Sequence, residues 1–268
     1  MEKVGFIGTG NMGGALVRAA CKAVPAEGIW IANRTEEKSR VLAKETGCCV
    51  STAEEIARNC DFIFLGVKPQ GMEALLSALA PCLAARENRF VLVSMAAGLE
   101  IATLQAMAGG DYPVIRMMPN TPVGVGEGVI LYDCVKGVTE QEETFFVELF
   151  SFAGLRDKLP EALMDAGTSV AGCGPAFAAL FVEGLAKGGE KLGLPPEKAV
   201  LYATQMLWGT GKLIAQSGKT PEQIRIEVCS PGGSTIEGVK AFQQAGLEDI
   251  AVQAVEKAYL RNKELGRK

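Results

Sequence analysis

Near the start of the chain stands Val4-Gly5-Phe6-Ile7-Gly8-Thr9-Gly10-Asn11-Met12-Gly13. A short apolar run leads straight into Gly-x-Gly-x-x-Gly, and a helical pattern follows at once. Each glycine has a separate physical task in such a stretch. The first permits a tight turn, the second lets a pyrophosphate approach the backbone, and the third allows helix to pack on strand. The phosphates then meet the positive end of the helix. Read in this way, Ile7, Gly8, Thr9, Gly10, Asn11 and Met12 belong to a dinucleotide site.

Outward from this stretch, short apolar runs alternate with helical segments. Val4–Ile7, Ile29–Asn33, Phe62–Val67, Phe90–Met95 and Val114–Met117 read as strands covered on both faces, with 128–132 and 155–158 as two more. Helices are expected at 12–21, 38–46, 53–59, 71–79, 101–108 and 140–152. The alternation predicts an α/β fold, a Rossmann-type doubly wound parallel sheet over residues 1–159. Beyond Pro160 the strand signal fades, and residues 160–268 read as an all-helical second domain. Its helices are expected at 163–171, 175–192, 196–217, 221–228, 234–244 and 246–267. Pro175, Pro196 and Pro221 stand where helices begin, a position that needs no amide donor. The apolar, Ala- and Gly-rich faces of this half exceed what about 108 residues can bury, so a second subunit is expected to cover part of them.

Bulk properties narrow the function. The 268 residues carry a formal net charge of −4, which disfavours non-specific nucleic-acid binding. No uninterrupted apolar run approaches the roughly 18 residues of a membrane span, so no membrane association and a cytoplasmic location are expected. Eight cysteines are scattered without a CxxC pair and read as reduced thiols. The chain has no histidine. Ser-His-Asp chemistry and His-ligated metals are thereby excluded, and no metal site is expected.

Cofactor choice is read at the end of the second strand, Asn33-Arg34-Thr35. A carboxylate there would hold a ribose 2′-hydroxyl and repel a 2′-phosphate. Arg34 can pair with that phosphate and Thr35 can donate to it, which predicts NADPH, with NADH as the alternative donor. The competing reading of Arg34 is a solvated surface arginine. Gly66-Val67-Lys68-Pro69 and Met95-Ala96-Ala97-Gly98 fall at carboxyl ends of strands, where open α/β sheets bind ligands. Lys68 reads equally well as a loop charge.

Far downstream, Ser230-Pro231-Gly232-Gly233-Ser234-Thr235 precedes a helix. Hydroxyls and glycines in that position can form a nest of amides for a carboxylate, or simply a helix-capping turn. The longer run Val228–Gly238 resembles the signature of pyrroline-5-carboxylate reductases. The opening Val4–Met12 is similar to that family's, as are Val67-Lys68-Pro69-Gln70, Ala96-Ala97-Gly98, Met118-Pro119-Asn120-Thr121-Pro122 and Gly172-Cys173-Gly174-Pro175-Ala176-Phe177. These six blocks lie in the family's order from end to end.

The resemblance implies reduction of 1-pyrroline-5-carboxylate to L-proline by NADPH or NADH, the last step of proline biosynthesis. It implies that Ser230, Gly232, Gly233 and Ser234 hold the substrate carboxylate, that Thr235 lies beside the ring nitrogen as the catalytic hydroxyl, and that Glu161 borders the pocket. It also implies a homodimer or larger homo-oligomer built through the helical domain. An imine partly protonated near neutral pH takes a hydride without a strong general acid, which suits a chain without imidazole. Some positions depart from the family. Ala171 and Cys173 replace common serines, Ala53 lies near a common asparagine, and Glu227 stands where some relatives have asparagine. Two other readings remain in view: a β-hydroxyacid dehydrogenase using Lys187, and a regulatory paralogue that binds NADPH without catalysis.

Overall fold

A computed structural model describes residues 2–135 and 137–265. Contacts divide the chain into two compact units. One runs to Cys173 and takes back the end of the last helix from Lys257; the other is Gly174–Glu256.

The first unit holds an eight-stranded sheet. Its strands are β1 (Val4–Ile7), β2 (Ile29–Ala32), β3 (Cys49–Val50), β4 (Phe62–Leu65), β5 (Val91–Ser94), β6 (Val114–Pro119), β7 (Gly128–Cys134) and β8 (Gly154–Lys158). The order is β3-β2-β1-β4-β5-β6-β7-β8. Every pairing is parallel except β6 with β7. The connection from β6 to β7 is too short for a crossover helix, so β7 turns back beside its predecessor. The expected doubly wound sheet is therefore present, with one antiparallel step that the sequence pattern did not announce.

Helices α1 (Asn11–Ala23), α2 (Glu36–Thr46), α3 (Ala53–Asn59), α4 (Met72–Ala84), α5 (Ile101–Ala108) and α6 (Glu140–Leu149) cover the sheet. Alternation along the strands sends residues to opposite faces. Phe62 and Phe64 join one buried cluster with Val4, Phe6, Phe146 and Phe150. Ile63 and Leu65 join another with Ile7, Met72 and Leu76. Phe6 and Phe64 stack at 4.4 Å between ring centroids, and Phe150 meets Phe64 edge-on. Thr52 and Thr139 close reciprocal capping boxes with Glu55 and Glu142, which fixes where α3 and α6 begin.

After β8, α7 (Met164–Gly167) passes into a π-helical stretch at Thr168–Gly172. The helices α8 (Gly174–Lys191), α9 (Pro196–Ser217), α10 (Pro221–Val228), α11 (Ser234–Gln244) and α12 (Leu247–Leu265) follow. The expected end of the last helix at Arg267 lies outside the described residues. Within the second unit, Phe181 and Phe242 approach to 5.8 Å. Many apolar side chains there are exposed, including Leu180, Leu201, Trp208 and Val252. By length and composition the stretch Glu161–Lys191 is apolar enough to cross a membrane. This corrects the reading that no segment qualifies: residues 166–182 carry no charge, and only small polar residues, glycines and a proline interrupt the apolar ones.

Candidate active site

The candidate nucleotide cleft is built at the carboxyl ends of β1, β2 and β4. Gly8 leaves β1 with φ +95, and a Cβ there would lie 2.8 Å from the carbonyl carbon and oxygen of Gly66. Neighbouring strands thus close on each other at this turn, and Gly13 packs against the Gly8 carbonyl. Gly10 differs: its φ is −66, and an added Cβ would meet no atom within 4 Å. Neither backbone conformation nor internal packing calls for glycine at this N-cap of α1. The free space suits a group that approaches the backbone from outside, as a pyrophosphate does.

The turn is held across to β2. The Thr9 amide donates to Asn33 Oδ1 at 3.1 Å, and Asn33 Nδ2 donates to Thr9 Oγ1 at 3.0 Å. The resulting cleft has a volume of about 1160 Å³. Ile7, Gly8, Gly10, Asn33, Arg34, Gly66, Val67 and Lys68 line it, together with Val50–Glu54 and Gln70, Gly71, Ala74 and Leu75. Arg34 and Lys68 are exposed cations with no ion-pair partner among the described residues. Two unpaired positive groups flanking one cleft fit an anionic ligand. Glu36 also lines it, but its carboxylate is taken by Arg40 at 2.8 Å.

Other expected cofactor residues sit differently. Asn11 is exposed in the first turn of α1, Met12 leans on the core, and Thr35 caps α2 without a side-chain bond. Pro69 opens the short 3-10 turn Pro69–Gly71 beside Lys68. Met95 and Ala97 are partly buried after β5, whereas Ala96 is 1% exposed with its methyl in the core. Ala96 can therefore offer a ligand its backbone alone.

The expected substrate loop, Ser230–Thr235, lies in the second unit. Gly232 has φ +70 and the Gly233 amide donates to the Ser230 carbonyl at 3.0 Å, forming a turn. Gly233 is the N-cap of α11, and no side chain caps that helix. The capping alternative for the Ser230 and Ser234 hydroxyls thus finds no support here. Ser230, Gly232, Ser234 and Thr235 are exposed.

Glu161 occupies a more constrained place. Its Oε1 accepts from the Ile101 amide at 2.8 Å and pairs with Arg116 Nη1 at 3.2 Å. Its own amide donates to Asp133 Oδ2 at 2.6 Å. Arg116 is 2% exposed and also reaches Asp165 Oδ1 at 3.3 Å. From α12, Asn262 Nδ2 donates to Ser169 Oγ at 3.3 Å inside the π-helical stretch. Asn120, from the Met118–Pro122 block, donates to the Ala171 carbonyl at 3.0 Å. One family-like block and the last helix therefore meet at Thr168–Gly172, and such π-turns recur at functional sites.

Residues 161–265 match the family model described as pyrroline-5-carboxylate reductase dimerisation. Residues 3–98 match that described as NADP oxidoreductase, coenzyme F420-dependent. Among curated proteins, pyrroline-5-carboxylate reductase 3 of Danio rerio is 38% identical over 99% of this chain and 92% of its own. The Arabidopsis thaliana pyrroline-5-carboxylate reductase is 36% identical over 98% of this chain and 95% of its own. The chain belongs to the pyrroline-5-carboxylate reductase family.

Solved structures agree with that family. The Plasmodium falciparum pyrroline carboxylate reductase, determined with NADP bound, superposes with a TM-score of 0.88 at 31% identity, over 99% of this chain and 98% of that one. The Coxiella burnetii pyrroline-5-carboxylate reductase gives 0.91 at 26% identity, over 100% and 99%. An archaeal ketol-acid reductoisomerase, at 18% identity and a TM-score of 0.64, shares the fold. The β-hydroxyacid dehydrogenase and regulatory alternatives are not favoured by this family membership. Lys187, the lysine on which the first rested, is 72% exposed on α8 beside Glu183.

Beyond Ala53 and Gln70, sequence reasoning held no expectation for the cleft lining at Val50, Ser51, Thr52, Glu54, Gly71, Ala74 and Leu75. The capping box Thr52-x-x-Glu55 was a usable signal for the stretch before α3, since it fixes where α3 starts. Sequence reasoning also missed Arg116, whose position inside an apolar strand was the available cue.

Proposed function

We propose that this chain is a pyrroline-5-carboxylate reductase that reduces the imine of 1-pyrroline-5-carboxylate to L-proline with NADPH as the preferred donor. The observation that carries the cofactor half is the cleft: the open approach at Gly10 beside the unpaired Arg34 and Lys68. When bound, the nicotinamide supplies the hydride. The Gly8–Gly13 turn holds the pyrophosphate through backbone amides at the start of α1. Arg34, with Thr35, takes the 2′-phosphate, and Lys68 lies along the same cleft. Met95, Ala96 and Ala97 leave room at the end of β5.

The substrate half rests on the turn ahead of α11. The amides of Ser230, Gly232 and Ser234 hold the carboxylate on the turn that Gly233 closes, and the Thr235 hydroxyl orients the ring nitrogen. Glu161, held by Arg116 and the Ile101 amide, borders the pocket. No strong general acid is needed for a protonated imine. Residues 160–268 form the substrate-binding and dimerisation domain in this reading. A second copy, rather than lipid, covers the exposed apolar faces of α8 and α9. A cytoplasmic location is part of the same proposal, supported by eight cysteines that are all free thiols.

The test is turnover of racemic 1-pyrroline-5-carboxylate with NADPH and with NADH, beside oxidation of proline by NADP⁺ at high pH. Activity in both directions is expected, with Thr235→Ala slowed but not silent. Tight NADPH binding without turnover in either direction would replace the reductase with the regulatory reading.

A further inference from the structure

Cys21 lies in the last turns of α1, and Cys48 immediately precedes β3. Their sulfurs approach to 3.2 Å, although 27 positions separate them. Cys48 is 6% exposed in the core that α1 and the sheet share, and Cys21 packs against that core from a less buried position. No other pair of cysteine sulfurs makes such a contact among the described residues. We propose that Cys21 and Cys48 are a redox modification site, a dithiol that a small peroxide converts to an intramolecular disulfide.

The two thiols have unequal roles. The Cys21 S–H contact lowers the Cys48 thiol to about 7 against the opposing effect of burial, and the same contact raises Cys21. Cys48 is thus the sulfur that ionises and attacks, and Cys21 is the one that resolves. The Cys48 thiolate attacks one oxygen of hydrogen peroxide, the O–O bond breaks, and a sulfenic acid and hydroxide form. The Cys21 sulfur then attacks Cys48 Sγ. The S–O bond breaks, and the departing hydroxide leaves as water with the Cys21 proton. Two thiols lose two electrons, and one peroxide becomes two waters. A molecule as small as peroxide suits a sulfur as covered as Cys48.

The bond would tie α1, whose first turn carries the Gly10–Gly13 approach, to β3, whose exit at Val50–Glu54 walls the same cleft. Closing this loop restricts the unfolded chain, so a rise of roughly a few degrees in Tm is expected on oxidation.

The experiment reads bonds and does not depend on the catalytic assignment. Fully reduced protein is treated with hydrogen peroxide, alkylated, cut with trypsin and mapped. The expected result is a link between peptides 19–22 and 45–58 with a loss of about 2 Da, reversed by dithiothreitol. Cys49→Ser, which removes the exposed neighbour, keeps the link. Cys21→Ser, with its folding checked by circular dichroism, loses the link. Absence of the link in wild-type protein at a dose that oxidises Cys49 overturns the proposal, whether or not the variants fold. So does a link that requires Cys49.

Discussion

Thr9 and Asn33 exchange two hydrogen bonds, amide to Oδ1 at 3.1 Å and Nδ2 to Oγ1 at 3.0 Å. They join the turn after β1 to the end of β2, the two segments proposed to receive the phosphates and to read the ribose. Asn33→Ala removes both bonds, each worth about 1 kcal/mol. Its expected effect is a loss of cofactor affinity of roughly tenfold, with the substrate KM little changed. Calorimetric titration with NADPH checks it, and unchanged affinity would mean that the turn holds itself.

Gly8 and Gly10 should respond oppositely to the same methyl group. Gly8→Ala forces a positive φ and a collision with the Gly66 carbonyl, a cost of about 2 kcal/mol or more visible in urea unfolding. Gly10→Ala should leave the unliganded protein within about 0.5 kcal/mol. Its NADPH affinity should nevertheless fall by roughly tenfold or more, because the methyl occupies the phosphate approach. Equal affinity in Gly10→Ala and wild type would remove the pyrophosphate from this turn.

Arg34 has no ion-pair partner among the described residues, so its substitution tests the proposed 2′-phosphate contact alone. Arg34→Ala should raise the Kd for NADPH by roughly tenfold while leaving that for NADH alone. If both cofactors weaken together, or neither does, Arg34 is a solvated arginine.

Arg116 is nearly sealed from solvent and holds Glu161 and Asp165 at 3.2 and 3.3 Å. Arg116→Met leaves both carboxylates short of a cation, although Lys263 still reaches Asp165 at 3.5 Å. A destabilisation of about 3 kcal/mol is expected in urea unfolding. A variant as stable as wild type would show that the pair contributes nothing beyond what methionine packing replaces.

Alkaline stability should report on Tyr132. Burial, then its hydrogen bond to Glu143, raises the phenol to about 12 from an ordinary value of 10.0. Between those values the folded chain keeps a proton that the unfolded chain has lost. Stability from this group is therefore intact below pH 10 and declines as pH rises towards 12. Urea midpoints across that window should fall less steeply for Tyr132→Phe than for wild type. Parallel curves would assign the decline to other groups.

The strands of the sheet's interior were legible because burial on both faces demands continuous apolar runs, as in Phe62–Leu65 and Val91–Ser94. Helices that begin on a proline, as Pro196–Ser217 and Pro221–Val228 do, were equally clear. Elsewhere context overrode the local signal. Pro81 lies inside α4, whose buried face carries the helix past it to Ala84. The edge strand Cys49–Val50 is only two exposed residues and has no pattern to recognise.

The chain's own residues sufficed for the interior strands, the glycine turn and its helix, and the absence of imidazole chemistry. Those follow from periodicity, steric permission and residue inventory, which are local properties. Only the tertiary structure decided that β7 runs antiparallel, that Asn33 locks Thr9, that Glu161 leans on Arg116, and that Cys21 meets Cys48. Each of these joins residues from separate elements. Such pairings depend on how the sheet is ordered and how its helices lie, and no spacing along the chain encodes a distance across it.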